Sequence, residues 1–358
     1  MIIDNHAHIF PFLGGKSEYT SKEVQLMYAQ KLISGHFEPT HRMDDFSVVG
    51  ERTLWDNNKP GLEGMRNVNF RAGKFGRYEW TVNGIDYCLQ YMPVGLQDMT
   101  SSPEFLIAQM DYVGIGKAVL QRAHMYGKLE NFYYEAIKKF PGRFIGLTQV
   151  DESRAYCDDQ INELHRAIDK LGLKGVYFEP GALFVDNFKH YFDDEIFKPF
   201  WEEVDSLAVP LYVQTDRSVF LDQMERWESI LRKHPSIILV VSMGLPEQIA
   251  LKDGEVRIPE IVRRLVTNHK VYLEIAYPIS MGKESEYPYP KAQQIIRHLF
   301  ETFSPEKLIW GSDIPNVERY CTYAQSLNYL KNHCDFLSNS DKELVLGKNV
   351  MKIFGLNF

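Results

Sequence analysis

The stretch MIIDNHAHIFPF (residues 1–12) decides how the rest of this sequence is read. Ile2 and Ile3 predict the start of a strand, and Asp4, His6 and His8 follow at alternate positions. Side chains of a strand alternate between its two faces, so the pattern predicts that Asp4, His6 and His8 project the same way. Two neutral imidazoles side by side, next to a turn at Pro11, are a natural beginning for a divalent-metal site. The competing reading is a pair of buried histidines with backbone partners. A second acidic residue, Asp313, stands in KLIWGSDIPN (residues 307–316), where an apolar strand runs into Gly-Ser-Asp, so its carboxylate emerges at the strand's carboxyl end. Its alternative role is to cap a turn before Pro315.

Working outward, eight strand candidates are legible: 2–8, 117–121, 144–149, 175–179, 210–214, 237–242, 271–276 and 307–313. Helical stretches such as SSPEFLIAQMDYV, LENFYYEAIKKF and FLDQMERWESILRKH lie between them, several ending in basic residues with Gly or Pro. Eight strands alternating with helices predict an α/β fold, a (β/α)8 TIM barrel. A doubly wound open sheet is the alternative, but no GxGxxG follows any strand. In a barrel the last strand pairs with the first, which would bring Asp313 beside His6 and His8.

Residues 10–102 are too long for a simple connection. They include RYEWTVNGIDYCLQYMP (residues 77–93), where Asn83-Gly84 between two β-rich runs signals a hairpin. We therefore expect one barrel spanning 1–358, with 10–102 forming a lid or small antiparallel element after the first strand, on the face where barrel enzymes hold their sites. The aromatics Trp55, Phe70, Phe75, Tyr78 and Trp80 would line a pocket wall or form this element's own core.

The 358 residues carry a formal net charge of −8, with 44% hydrophobic and 25% charged residues. This composition is globular and argues against nucleic acid or an anionic membrane as partner. No basic region precedes an apolar core at the amino terminus, so no secretory leader is expected. The longest apolar run, IILVV at 237–241, is strand-sized. Four cysteines without a CxxC pair read as reduced thiols of a cytoplasmic protein.

IIDNHAHIF, FPGRFIGLTQVD, LGLKGVYFEP, VPLYVQTD, HPSIILVVSMG, SPEKLIWGSDIP and LGKNVMKIFGL, in that order, resemble the amidohydrolase superfamily, in the branch that includes aminocarboxymuconate-semialdehyde decarboxylase. The resemblance covers most of the chain outside 10–102. It implies a TIM-like barrel with one divalent metal, often zinc, held by His6 and His8, with Asp313 as the metal-bound carboxylate that handles the proton of an activated water. It also implies that homodimers are common, although no residue here marks an interface. The sequence departs from the family at two places: Gln214 stands where a histidine ligand usually ends the fifth strand, and Met243 where another usually ends the sixth. An amide oxygen is a weaker ligand than imidazole, and a thioether is neither acid nor base.

Three readings follow. His6, His8 and Asp313 hold the metal with Gln214 or water completing it; or Glu179 and His124, at the ends of the fourth and second strands, replace what is lost; or the site is degenerate and only binds a ligand. Arg122, Arg217 and Arg319 each follow a candidate strand and could meet a substrate carboxylate. The expected function is hydrolysis of a small organic ester, lactone or amide by a metal-bound hydroxide, with Asp313 as general base. The alternatives are non-oxidative decarboxylation of an aromatic or unsaturated acid, for which His124 would have to supply a proton, and non-catalytic binding.

Overall fold

Eight short runs rich in β-branched and aromatic residues pair side by side in parallel: β1 (Ile3–Ala7), β2 (Lys117–Leu120), β3 (Phe144–Gln149), β4 (Gly175–Phe178), β5 (Leu211–Val213), β6 (Leu239–Val241), β7 (Val271–Ile275) and β8 (Leu308–Trp310). The computed structural model describes residues 1–50, 53–282 and 286–356. Side-chain alternation separates two cores. Ile3, Val119, Ile145, Leu147, Tyr177, Tyr212, Val240, Tyr272 and Ile309 fill the inside. Ala118, Leu120, Val176, Phe178, Val213, Val241, Leu273 and Trp310 face the surrounding helices. Both faces are covered, as a parallel sheet requires. The expected barrel and its eight strands are observed.

The barrel closes where β8 meets β1. The Asp313 N–H donates to the His6 carbonyl at 2.8 Å, and the His8 N–H donates to the Ile314 carbonyl at 2.8 Å. Asp4 reinforces this seam from outside. Its carboxylate accepts hydrogen bonds from the Ser312 N–H (2.9 Å), the Ser312 hydroxyl (2.5 Å) and the Tyr323 hydroxyl (2.7 Å).

The expectation that Asp4, His6 and His8 share one face is therefore corrected. The pairing of β1 with β2 advances from Asp4↔Ala118 to Ala7↔Leu120, three steps on β1 against two on β2. This bulge breaks strict alternation and re-aims the side chains that follow it. Asp4 turns to Ser312 and Tyr323, whereas Asn5 and His6 both reach Glu274.

Between β1 and β2 the chain builds a helix, Lys22–Gly35, and an antiparallel sheet of five strands with the expected hairpin. Val82 pairs with Ile85. The two residues between them, Asn83 and Gly84, take φ values of 51° and 77°, as the tight turn requires. Phe70, Tyr78 and Trp80 are buried in this element's core, Phe75 is exposed, and Trp55 packs edge-on to Phe184 of the barrel. The helix has no clear sequence signature because it buries polar residues: the Gln30 amide donates to the Leu54 and Arg66 carbonyls at 2.9 and 2.8 Å. Among the described residues, no helix is long and apolar enough to cross a membrane.

Burial holds the Asp4 carboxyl up at about 6, against the pull of its hydrogen bonds from Ser312, His6 and Tyr323. A carboxyl whose folded value lies above its unfolded one favours the folded state most when protonated, so its contribution falls as pH rises from about 4 to 6. Asp4→Asn, which loses one acceptor oxygen, should cost about 1–3 kcal/mol in urea unfolding. That deficit should shrink between pH 4 and pH 6.

Candidate metal centre

The seam bonds that close the barrel also place three donor atoms together. His8 Nε2 lies 3.0 Å from His6 Nε2 and 3.0 Å from Asp313 Oδ1, and His6 Nε2 lies 3.6 Å from the same oxygen. All three residues are buried. Gly311 permits the approach: a Cβ there would stand 2.7 Å from both His6 Cβ and Glu274 Oε1. Asp313 itself has a φ of 62°, a left-handed conformation that aspartate tolerates better than most residues.

The far ring nitrogens set the tautomers. His8 Nδ1 is 3.1 Å from the Gln121 carbonyl oxygen, which can only accept, so Nδ1 carries the hydrogen. His6 Nδ1 is 2.6 Å from the Glu274 carboxylate and donates to it. Both Nε2 lone pairs thus converge on each other and on a carboxylate oxygen, an arrangement that repels itself unless positive charge lies among the three atoms. The electrostatics agree. Burial depresses the charged form of His6, but the carboxylates of Glu274, Asp313 and Asp4 outweigh it and raise the ring to about 9. Burial, aided by the charge on His6, lowers His8. Burial pushes Asp313 up, but His6 and His8 prevail and keep it below the usual carboxylate value. His6, His8 and Asp313 form a group whose ligand atoms all lie within 4.8 Å of one another, and an N,N,O donor set of this kind suits a divalent cation.

Glu274, which the sequence reading did not single out, supports this group from behind. Its Oε2 accepts from His6 Nδ1 and from the Met243 N–H (2.8 Å), and its Oε1 accepts from Asn5 Nδ2 (2.6 Å) and Gln121 Nε2 (2.9 Å). With four donors it is fully engaged and orients His6. A single glutamate in the otherwise apolar strand VYLEIA was the available signal. Met243, in the place of a histidine, contributes its backbone instead, with φ at 62° aiming its N–H at Glu274. Gln214 follows β5, and its amide oxygen accepts from the Tyr177 hydroxyl at 2.9 Å.

The other candidates gather in a second group. His124 lies between Tyr19, whose hydroxyl is 2.7 Å from Nδ1, and Glu152, in short contact with Nε2, and it stacks on Tyr28 at 4.4 Å. Burial disfavours its charge, but Glu152 and Glu179 overcome this and raise it. Glu179 accepts from the His124 N–H at 3.3 Å, and burial raises its carboxyl. Glu152, which also accepts from Gln149 Nε2 at 2.9 Å, was not anticipated. Arg122 is 1% exposed and pairs with Glu130 at 3.2 Å. Arg217 is half-buried, with its guanidinium over Phe37 at 5.4 Å, and Arg319 lies over Tyr91 at 5.3 Å.

Residues 3–356 match a family model described as amidohydrolase. In structure the chain is similar to a probable 2-pyrone-4,6-dicarboxylic acid hydrolase from Acinetobacter baumannii with citric acid bound, at 19% identity and a TM-score of 0.57, over 72% of this chain and 91% of that one. It is also similar to a dihydroxybenzoic acid decarboxylase from Polaromonas sp. JS666 with manganese and 2-nitroresorcinol bound, at 17% identity and a TM-score of 0.54, over 73% of this chain and 88% of that one. A third similar structure is 5-carboxyvanillate decarboxylase from Sphingomonas paucimobilis, at 14% identity and a TM-score of 0.51, over 72% of this chain and 84% of that one. At these identities the likeness is one of fold. No curated protein matches in sequence.

Because a proton on His6 competes with a cation, metal-stripped protein should bind a divalent cation more tightly as pH rises towards about 9. Glu274→Gln should weaken that affinity by about 10–100-fold in chelator competition. It should also move the pH dependence to lower pH, because the carboxylate that holds the His6 proton is gone.

Proposed function

This chain belongs to the amidohydrolase family, and from that premise we propose that it hydrolyses a small organic ester, lactone or amide. One divalent cation, zinc in our reading, would be held by His6, His8 and Asp313, with Gln214 as a weaker fourth donor. The observation that carries the proposal is the convergence of two imidazole lone pairs and one carboxylate oxygen at the mouth of a barrel. When bound, the cation supplies a Lewis acid that polarises a carbonyl oxygen and makes water easier to deprotonate.

The chain's own residues supply the rest. Asp313 Oδ1 is engaged by His8 and by Asn316 Nδ2 at 2.7 Å, while Oδ2 makes no hydrogen bond with a described residue. Held ionised by the two histidines, Asp313 takes the proton of the attacking water at Oδ2 and acts as general base. Glu179 and Arg217 bind substrate polar groups. His124, with both ring nitrogens engaged by Tyr19 and Glu152, positions this second group, and Arg122 supports the loop through Glu130. Residues 10–102 act as a lid on a single barrel. Tyr91 of this segment touches Tyr126, whose ring lies 4.5 Å from that of His8. Four unpaired cysteines support a reducing compartment such as the cytoplasm.

Decarboxylation is the second reading, favoured by the fold shared with two aromatic-acid decarboxylases. It needs a proton delivered to carbon. Met243 has none to give, and His124 is committed to Tyr19 and Glu152, so hydrolysis is preferred.

Metal-loaded protein should hydrolyse members of a panel of lactones and esters that includes 2-pyrone-4,6-dicarboxylic acid. The His6→Ala, His8→Ala double variant should lose both the metal and the turnover. Asp313→Asn should lower kcat by at least about 100-fold. Carbon dioxide release from dihydroxybenzoic acids, without hydrolysis of the panel, would establish the second reading instead. A protein that folds, binds small acids and never retains a divalent metal would exclude both.

A further inference from the structure

Gln121 directly follows β2 and is fully buried, and every polar group it carries is engaged. Its N–H donates to the Ala7 carbonyl at 3.1 Å. Its carbonyl accepts from His8 Nδ1 at 3.1 Å and from the Tyr133 hydroxyl at 2.7 Å. In the side chain, Nε2 donates to the Asn5 carbonyl at 2.8 Å and to Glu274 Oε1 at 2.9 Å, and Oε1 accepts from the Ser242 hydroxyl at 2.8 Å. The Asn5 carbonyl can only accept, so the amide nitrogen must face it and the orientation of the amide is fixed.

The bulge in β1 creates this position. It interrupts the ladder between Asp4 and Ala7, and the Asn5 carbonyl meets the Gln121 side chain in place of a strand partner. The consequence reaches both histidines of the candidate centre. Through its main chain Gln121 holds the far nitrogen of His8. Through its side chain it holds Glu274, whose other oxygen holds the far nitrogen of His6 at 2.6 Å. The end of β6 feeds the same assembly twice, with the Ser242 hydroxyl on Gln121 and the Met243 N–H on Glu274. Asn5 closes a ring, because its carbonyl accepts from Gln121 while its Nδ2 donates to Glu274 Oε1 at 2.6 Å. A closed set of buried hydrogen bonds gives way as a whole, since breaking one member leaves the others imperfectly paired away from water.

We infer that Gln121 is a positioning residue that couples the two histidines: one residue fixes the direction of both Nε2 atoms, so that neither ring is re-aimed without the other. It acts only through His8 and Glu274. A merely structural amide would brace β1 against β2 and leave the rings independent. That the rings hold a cation rests on the function proposed above; the coupling between them does not.

The test first reads the rings with no metal present. In metal-stripped full-length protein carrying isotope-labelled histidine, the Nδ1–H protons of His6 and His8 are followed by nuclear magnetic resonance as they exchange with water. Gln121→Met, close in size but without the amide, should speed the exchange of both protons by at least about fivefold at fixed pH, while the backbone amides of β4 and β5 keep their rates. A general loss of stability would move the strands as well. Ser242→Ala, which removes only the hydroxyl on the Gln121 amide, should act on both rings in the same direction, and it decides the matter if Gln121→Met does not fold. In chelator competition Gln121→Met, or Ser242→Ala in its place, should also weaken zinc binding by about 10–100-fold. Wild-type protein that binds no zinc would remove the metal reading and leave the ring measurement to decide the coupling. Faster exchange at one ring only or at neither, or a zinc affinity that the folded variant leaves unchanged, overturns the inference.

Discussion

One backbone hydrogen bond organises this molecule: the Asp313 N–H to the His6 carbonyl, across the seam where the eighth strand meets the first. A parallel barrel must close on itself, and here closure joins the beginning of the chain to a point more than 300 residues later. The same contact sets the distance between a carboxylate and two imidazoles. Asp4 and Ser312 brace it from the helix side, and Gly311 keeps the strands near enough for Glu274 to reach His6. Structural closure and the assembly of the site are one event, which explains why so many buried polar groups are concentrated on this side of the barrel.

Around that contact the protein compensates for what its sequence lacks. Two histidines expected at the ends of the fifth and sixth strands are replaced by Gln214 and Met243. Glu274 gathers His6, Asn5, Gln121 and the Met243 N–H. A carboxylate fully occupied by donors is a poor additional metal ligand but a rigid support for the ligand in front of it. The candidate centre therefore offers fewer protein donors than the family pattern implies, with its first histidine held by Glu274. The second cluster, His124 with Glu152, Glu179 and Tyr19, shares the barrel mouth and joins it to the inserted segment.

The eight strands, most of the helices between them and the Asn83-Gly84 hairpin were legible because they depend on local periodicity and on turns that only certain residues adopt. His6, His8 and Asp313 were legible because each stands at a strand's end beside an abrupt change from apolar to polar residues. Glu274, Glu152 and the helix Lys22–Gly35 were not. Each places a polar side chain where only distant partners make burial tolerable, and sequence-local patterns carry no record of those partners.

By itself, then, the sequence determined the alternation of strands and helices, the barrel they imply and the three residues that could bind a cation, since these follow from side-chain type and spacing. Tertiary structure alone decided which way the side chains of the first strand point. The bulge after Asp4 is a property of its pairing with the second strand, and it sends Asp4 to the seam and His6 to Glu274. It alone also decided that Arg122 would pair with Glu130 while Arg217 and Arg319 would lie over aromatic rings, with no carboxylate among the described residues in ion-pairing distance. Three arginines following three strands look alike in a linear chain, and only the charges that folding brings near them make them different.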